Sequence, residues 1–320
     1  MCLYPKLVNN PKYRANKKNK GVVPTMTDKR VAMLPVGCGK CMECRKQKAN
    51  EWIVRLNEEV RERKNGKFVT LTFTNEVLEK VGKEIIGLEG YELDNEIAKK
   101  CVNRFRERWR KKYKKKPRMW LITELGTTST ERIHLHGIIW TDQTKEEIEE
   151  RWSYGHTWCG KWVNGDTIGY IVKYLSKGDN IHKEYKPKMF YSNGIGKGYT
   201  DRVDAKVNKY NKGRTQEYYK DRKGYKKGLP TYWRNKIYSD EEREKLWIEK
   251  LDENVRWVDG KKIDISKGDE DYWEALKYAR QKNKRLGYGD DTVNWERKRY
   301  EREMRNLKRI NQNAKHENEF

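Results

Sequence analysis

Two histidines flank a leucine in the run Arg132-Ile133-His134-Leu135-His136-Gly137-Ile138-Ile139-Trp140. If this run is a strand, its period of two puts both imidazoles on one face and Leu135 on the other, and two imidazoles on one face can chelate an ion. Trp120 to Leu125 reads as a second strand, and the polar segment Gly126 to Arg132 between the two predicts an antiparallel hairpin. With a turn near Ser129, Glu124 falls opposite His134. Two histidines and a carboxylate then converge, a donor set that suits Mn²⁺ or a similar divalent ion and accepts Mg²⁺ less readily. A zinc-bound hydroxide uses the same ligands, and ordinary sheet histidines show the same spacing, so the motif alone does not choose a reaction.

A candidate nucleophile lies downstream, in Gly169-Tyr170-Ile171-Val172-Lys173-Tyr174-Leu175-Ser176-Lys177. Read as a helix, its spacing of four puts Tyr170 and Tyr174 on one face, about 5 to 6 Å apart at Cβ. Lys173 and Lys177 each follow a tyrosine by three residues and supply positive charge. A phenol has a pKa of about 10, so attack on phosphorus near neutral pH needs a cation or metal that stabilises the developing charge. Ile171, Val172 and Leu175 also give the helix an apolar face, and tyrosines that merely pack fit the same pattern.

Cys38, Cys41 and Cys44 form C-x2-C-x2-C, a spacing that in an intracellular protein points to metal rather than to a disulfide. Three thiols leave a structural zinc site one ligand short, which Cys2 completes if the N-terminal segment folds back; His156 and Cys159 are the alternatives, and unligated thiols fit too.

The elements that must position these groups follow from periodicity. Trp52, Ile53, Leu56 and Val60 predict a helix over about 46–63, stopped by Lys64-Asn65-Gly66, and Phe68 to Phe73 predicts a strand. Ile97, Cys101, Phe105 and Trp109 mark one apolar stripe on a long basic helix behind an Asp94 cap. Lys145 to Trp152 reads as a helix, Trp158 to Asn164 as a short strand, and Thr167 as the cap of a helix from Ile168 to Lys177 that Gly178 ends. The fold class is therefore α+β. Residues 1–37 read as a basic irregular arm, 38–180 as the catalytic domain with the cysteine cluster at its start, and 181–235 as a Tyr/Lys/Gly-rich DNA-contacting segment. Residues 236–320 read as a helical C-terminal extension, opened by a Ser239/Glu242 capping box and ending in a helix through Val293, Tyr300, Met304 and Leu307.

The charge names the partner class. A formal net charge of +25 favours nucleic acid, because Lys and Arg facing phosphate release counterions whatever the base sequence. From Arg104 to Arg118 there are ten basic residues and one acid, Glu107, so Arg104, Arg108, Lys111 and Lys112, together with Lys173, are candidate DNA contacts. From 183 to 234 cations alternate with eight tyrosines, which suits unpaired strands whose bases can stack. No segment approaches the roughly 18 to 20 apolar residues of a membrane span and no secretory signal opens the chain, which predicts a cytoplasmic protein.

In this order the motifs resemble those of the HUH endonuclease superfamily, and more closely the replication initiators (Rep) of microviruses, the gene A protein group. The strand Phe68 to Thr74 resembles the first family motif, His134-Leu135-His136 the second, and Tyr174-Leu175-Ser176-Lys177 the third, with Tyr170 as the second tyrosine of the two-tyrosine class. The resemblance covers roughly residues 38–178, with a weaker likeness in Leu229-Pro230-Thr231-Tyr232-Trp233. It implies a Rep-type central antiparallel sheet flanked by helices. It implies His134, His136 and Glu124 as ligands of Mg²⁺ or Mn²⁺, the third ligand being the one that varies in type within the superfamily. It implies Tyr174, Tyr170 and Lys177 as catalytic groups that nick single-stranded origin DNA, leaving a 5′-phosphotyrosine and a free 3′-OH for rolling-circle synthesis in a bacterial host, and later rejoin strands. No G-x-x-x-x-G-K-[ST] loop occurs, so unwinding falls to a host helicase and synthesis to a host polymerase. The competing readings are a transposase or relaxase of the same superfamily, and a non-catalytic basic zinc-containing nucleic-acid-binding protein.

Overall fold

A computed structural model describes residues 2–126, 131–160, 162–176, 182, 184–221 and 224–317. The chain divides into two compact units, residues 1–48, 207–217 and 234–320 in the first and residues 49–206 and 218–233 in the second. In chain order the elements begin with β1 (Lys6–Asn9), β2 (Met33–Val36), α1 (Met42–Glu62), β3 (Gly66–Leu71), α2 (Asn75–Gly82) and α3 (Gly90–Tyr113). They continue with β4 (Arg118–Leu125), β5 (Ile133–Trp140), α4 (Lys145–Trp152), β6 (Thr157–Gly160), α5 (Gly165–Ser176) and β7 (Met189–Tyr191). The remainder comprises β8 (Tyr218–Lys220), β9 (Lys226–Gly228), α6 (Thr231–Ile237), α7 (Asp240–Asp252), β10 (Val255–Val258), β11 (Lys261–Asp264), α8 (Glu270–Arg285), α9 (Asp291–Asn294) and α10 (Arg297–Glu317).

The second unit is built on a five-stranded antiparallel sheet in the order β6-β3-β5-β4-β7, flanked by helices, as the α+β reading expects. Strand alternation sorts its residues onto two faces. Val69, Leu71, Met119, Leu121, Leu135 and Ile139 turn to one face, where they pack with Ile97, Phe105 and Trp109 of α3 and Ile148 and Trp152 of α4. Trp120, Ile122, Ile138 and Trp140 turn to the other, under Trp52 and Leu56 of α1 and Ile168, Ile171, Val172 and Leu175 of α5. Gly137 is required between these layers, because a Cβ there would sit 2.1 Å from the Trp120 carbonyl oxygen. The room that this glycine leaves is filled by the neighbouring strand.

α5 is short, and an isolated helix of its length is marginal in water. Its four buried apolar side chains, at roughly 1.5–3 kcal/mol each, contribute on the order of 6–12 kcal/mol as an upper bound. That burial fixes which way Tyr170 and Tyr174 face. The helix begins at Gly165, ahead of the expected Thr167 cap, because the Asn164 side chain accepts the Thr167 N–H at 2.9 Å and takes the capping role itself. α3 likewise begins at Gly90, so Asp94 lies inside the helix instead of capping it.

The first unit carries β1 paired with β2, the hairpin β10–β11, and the helices α7 to α10. Residues 1–37, expected to be irregular, thus contain a strand pair. The Ser239/Glu242 capping box opens α7 as expected. The last helical pattern is split, α9 and α10 being separated at Trp295, whose backbone is extended and whose indole N–H donates to the Pro5 carbonyl at 2.8 Å. Within the second unit, three tyrosines of the segment expected to contact DNA are buried. Tyr199 stacks on Trp233 at 4.0 Å, Tyr219 leans on both, and Tyr185 packs beneath α3. Tyrosine serves here as core, because its hydroxyl finds a partner when its ring is buried: Tyr219 donates to the buried Glu58 carboxylate at 2.6 Å.

Candidate active site

The expected hairpin register holds. Arg118 to Leu125 pair with Trp140 back to Ile133, and Glu124 is the cross-strand partner of His134. On the α1/α5 face the Glu124 Oε2 lies 3.2 Å from His134 Nε2 and 2.8 Å from His136 Nε2. One ligand atom from each of the three residues lies within 4.8 Å of the others, an arrangement that can hold a metal ion. The distal ring nitrogens are also tied. His134 Nδ1 is 3.2 Å from the Arg132 carbonyl, and His136 Nδ1 is 3.0 Å from Thr70 Oγ1. Such outer contacts set the tautomer that leaves Nε2 free for a metal. The donor set therefore fits a divalent ion of the Mn²⁺ or Mg²⁺ type.

Helix α5 brings the phenols to the same place. The Tyr174 ring stacks on His136 with centroids 5.5 Å apart and planes 7° apart, while Tyr170 meets His136 edge-on at 6.4 Å. The Tyr174 hydroxyl donates to that of Tyr170 at 3.0 Å. Lys173 Nζ lies 3.8 Å from the Tyr170 ring centre and 5.1 Å from that of Tyr174. Ser129, Lys177 and Gly178 lie outside the described residues.

The electrostatics state what the site lacks on its own. Burial alone would raise the Glu124 carboxyl, but hydrogen bonds with His134 and His136 overcome it and hold the group at about 2. The Tyr174 phenol is pushed above its ordinary range by burial first, then by the hydrogen bond with Tyr170 and the negative charge of Glu124. A phenolate here needs a cation to oppose that carboxylate.

The four basic residues of α3 are not brought to this site. The α3 stripe packs on the opposite sheet face from His134 and His136, because it contacts Leu71 and Leu135. Arg104 pairs with Glu84 at 2.6 Å and Lys112 with Glu150 at 3.4 Å, while Lys111 is exposed. Arg108 donates to the Arg151 and Trp152 carbonyls at 2.7 and 2.6 Å, closing the C-terminal end of α4. Of the residues expected to touch DNA, Lys173 alone stands beside the tyrosines.

Sequence reasoning missed Thr70 and two aromatic neighbours. Thr70 pairs with His136 on one side and Trp158 on the other. Phe68 stacks over His136 at 6.1 Å and meets Tyr170 and Trp158 edge-on at 6.1 and 5.6 Å. Trp158 is 48% exposed and Trp162 82%, which makes them unlike core tryptophans. Period two along Phe68 to Phe73 already put Phe68 and Thr70 on one face; their proximity to the histidines depends on the β3–β5 pairing.

Comparison with known proteins points the same way. Residues 66–179 match a family model of replication-associated proteins, the ORF2 group. The match runs from β3 past α5 and so contains every group of the site. The comparisons support a replication-associated protein. A curated relative, "Replication-associated protein VP4" of Bdellovibrio phage phiMH2K, is 24% identical over 236 residues, covering 64% of this chain and 72% of the relative. No solved structure matches. Neither name specifies a tyrosine class or the gene A group. Among the described residues no helix is long and apolar enough to cross a membrane.

Proposed function

We propose that this chain is a rolling-circle replication initiator of the HUH type that nicks single-stranded origin DNA. The observation that carries the reading is the Tyr174 ring stacked on His136, beside Glu124 and His134 and hydrogen-bonded to Tyr170. A divalent ion held by His134, His136 and Glu124 would supply charge that polarises the scissile phosphate. Tyr174 or Tyr170 attacks phosphorus through its phenolic oxygen. The new bond joins that oxygen to the 5′-phosphate, the bond from phosphorus to the 3′ oxygen breaks, and the 3′ oxygen leaves as a hydroxyl once protonated. Lys173, close to both rings, stabilises negative charge on either phenol, and Lys177 would extend that charge. Reversal by a 3′-OH rejoins the strands. With two adjacent phenols, one holds a strand while the other cleaves the regenerated origin, which is the two-tyrosine scheme of the microvirus gene A group. Origin DNA, a host helicase and a host polymerase are the partners this scheme requires.

The test uses labelled single strands carrying the origin, with Mn²⁺ or Mg²⁺, with and without chelator. The expected result is metal-dependent cleavage and a covalent adduct on the 5′ side. An adduct that survives the double change Tyr170→Phe and Tyr174→Phe would overturn the reading. So would salt-dependent binding with no cleavage in either metal.

A further inference from the structure

Four thiols that nicking does not use stand together in the first unit. Cys2 and Cys41 have their Sγ atoms 3.9 Å apart, as do Cys38 and Cys44, and all four sulfurs lie within 4.8 Å of one another. A tetrahedron with Zn–S arms of about 2.3 Å has edges of about 3.8 Å. The distances are far beyond an S–S bond of about 2.05 Å. They are also too close to enclose a multi-iron cluster, whose metals and bridging sulfides would hold the cysteines apart.

The surrounding backbone favours negative sulfur. The N–H groups of Tyr4 and Cys38 point at Cys2 Sγ at 3.4 and 3.2 Å, and those of Lys40 and Cys41 point at Cys38 Sγ at 3.4 Å each. Hydrogen bonds of this kind stabilise ligating thiolates and weigh little on neutral thiols. Two glycines make the arrangement possible. Gly39 takes φ +75°, which turns the chain between Cys38 and Cys41, and a Cβ on Gly37 would press to 3.1 Å from Cys44 Sγ.

We propose that Cys2, Cys38, Cys41 and Cys44 hold one structural zinc ion around which the first unit folds. Four protein thiolates leave no open coordination position, which is the mark of a structural site. The cluster lies within the core of that unit, among Leu3, Tyr4, Met42, Val258, Leu276 and Ala279. Cys41 is followed by Met42, whose N–H donates at 2.8 Å to the fully buried Asn283 of α8. The ion thus joins residue 2, the start of α1 and the α8 packing in one knot, where few large apolar groups are available.

The test uses the full chain purified without chelator. About one zinc per chain is expected after desalting, released by a mercurial thiol reagent and read with a chromophoric indicator. Cobalt in its place should give intense thiolate-to-cobalt absorption in the near ultraviolet, a readout that needs no variant. Cys44→Ser should lower retained zinc by at least about tenfold, and Cys159→Ser should leave it unchanged. Less than about a tenth of an equivalent of zinc with four free thiols overturns the proposal. So does an intact mass short by two or four hydrogens, which reports disulfides, or full zinc retention in Cys44→Ser. His134→Ala, expected to keep this zinc while losing cleavage, separates failure here from failure of the nicking reading.

Discussion

Thr70→Val is the sharpest test of how the histidine pair is held. The substitution keeps the shape of the side chain and removes one oxygen, the one 3.0 Å from His136 Nδ1. For Nε2 to bind a metal, Nδ1 must carry the proton and donate it to Thr70, and valine leaves that N–H facing a methyl group. Loss of such an outer contact weakens metal affinity by about 10- to 100-fold, or roughly 1.4–2.7 kcal/mol. The stability change should be smaller, about 0.5–1.5 kcal/mol for one neutral hydrogen bond on a half-buried strand position. The assay is Mn²⁺ titration followed by the electron paramagnetic resonance of the free ion, with thermal unfolding in parallel. The expected pattern is a raised Kd for Mn²⁺ with little loss of stability, and nicking rescued by excess Mn²⁺. An unchanged Kd would refute the claim that Thr70 sets the tautomer, and if Glu124→Gln also left it unchanged, the three residues would not be the metal site.

Acid stability should depend on Glu59, which is fully buried and meets Arg118 at 2.6 Å, the Gly196 N–H at 2.8 Å and Arg63 at 3.0 Å. Burial would raise this carboxyl, but Arg118 and the Gly196 N–H overcome it and hold it below the usual carboxylate range. A lowered folded-state pKa gives stability that is fully present above the unfolded value of about 4.3 and is lost as pH falls through the folded value. Glu59→Gln should therefore lower Tm at pH 7, by about 3–5 kcal/mol in stability since Arg118 is left unpaired, and should flatten the loss of Tm below about pH 4.5. Parallel acid profiles for the two proteins would exclude this role. Trp158→Ala removes a half-exposed indole beside Thr70, and single-strand affinity measured by fluorescence anisotropy at fixed salt should fall by the 1–3 kcal/mol of about one stacked base, with Mn²⁺ binding intact. Lys111→Ala with Lys112→Ala, on the helix across the sheet from the tyrosines, should lower the salt slope of DNA binding by no more than about 2 and leave single-turnover cleavage within about threefold; a larger loss of cleavage would place α3 against the scissile strand.

What the sequence made legible was local. The period of two in Ile133 to Trp140 and the period of 3.6 in Gly169 to Ser176 are each written within one element, so the histidine face and the tyrosine face could both be read, and the polar turn pointed to the Glu124–His134 register. What stayed hidden depends on pairings between distant segments. β3 reaches the histidines only because it lies between β5 and β6, an order that no local pattern specifies, and with it come Thr70, Phe68 and Trp158. The basic run of α3 was read as a DNA surface because charge is visible in sequence and sheet face is not. The same residues Phe105 and Trp109 that make α3 amphipathic commit it to the face away from the site. Tyr199 and Tyr219 were legible as aromatic but not as core, since only the fold supplies the Trp233 ring and the Glu58 carboxylate that let them be buried.

The two proposed metal sites should behave as chemically distinct compartments in one chain. Four thiolates form a soft, closed cage that selects Zn²⁺ and has no position for a substrate oxygen. Two imidazoles and a carboxylate at 11–23% side-chain exposure form a harder, open set, accessible to a phosphate and to a chelator. A brief wash with EDTA should consequently strip the histidine site while the thiolate site keeps its ion, because loss from the latter requires the first unit to open. Cleavage would stop and the circular dichroism and thermal unfolding of the washed protein would stay the same, with Mn²⁺ alone restoring activity. If the wash instead removed zinc and structure together with activity, the metal requirement of cleavage would be a folding requirement, and the inference that Glu124, His134 and His136 act on phosphate would lose its support.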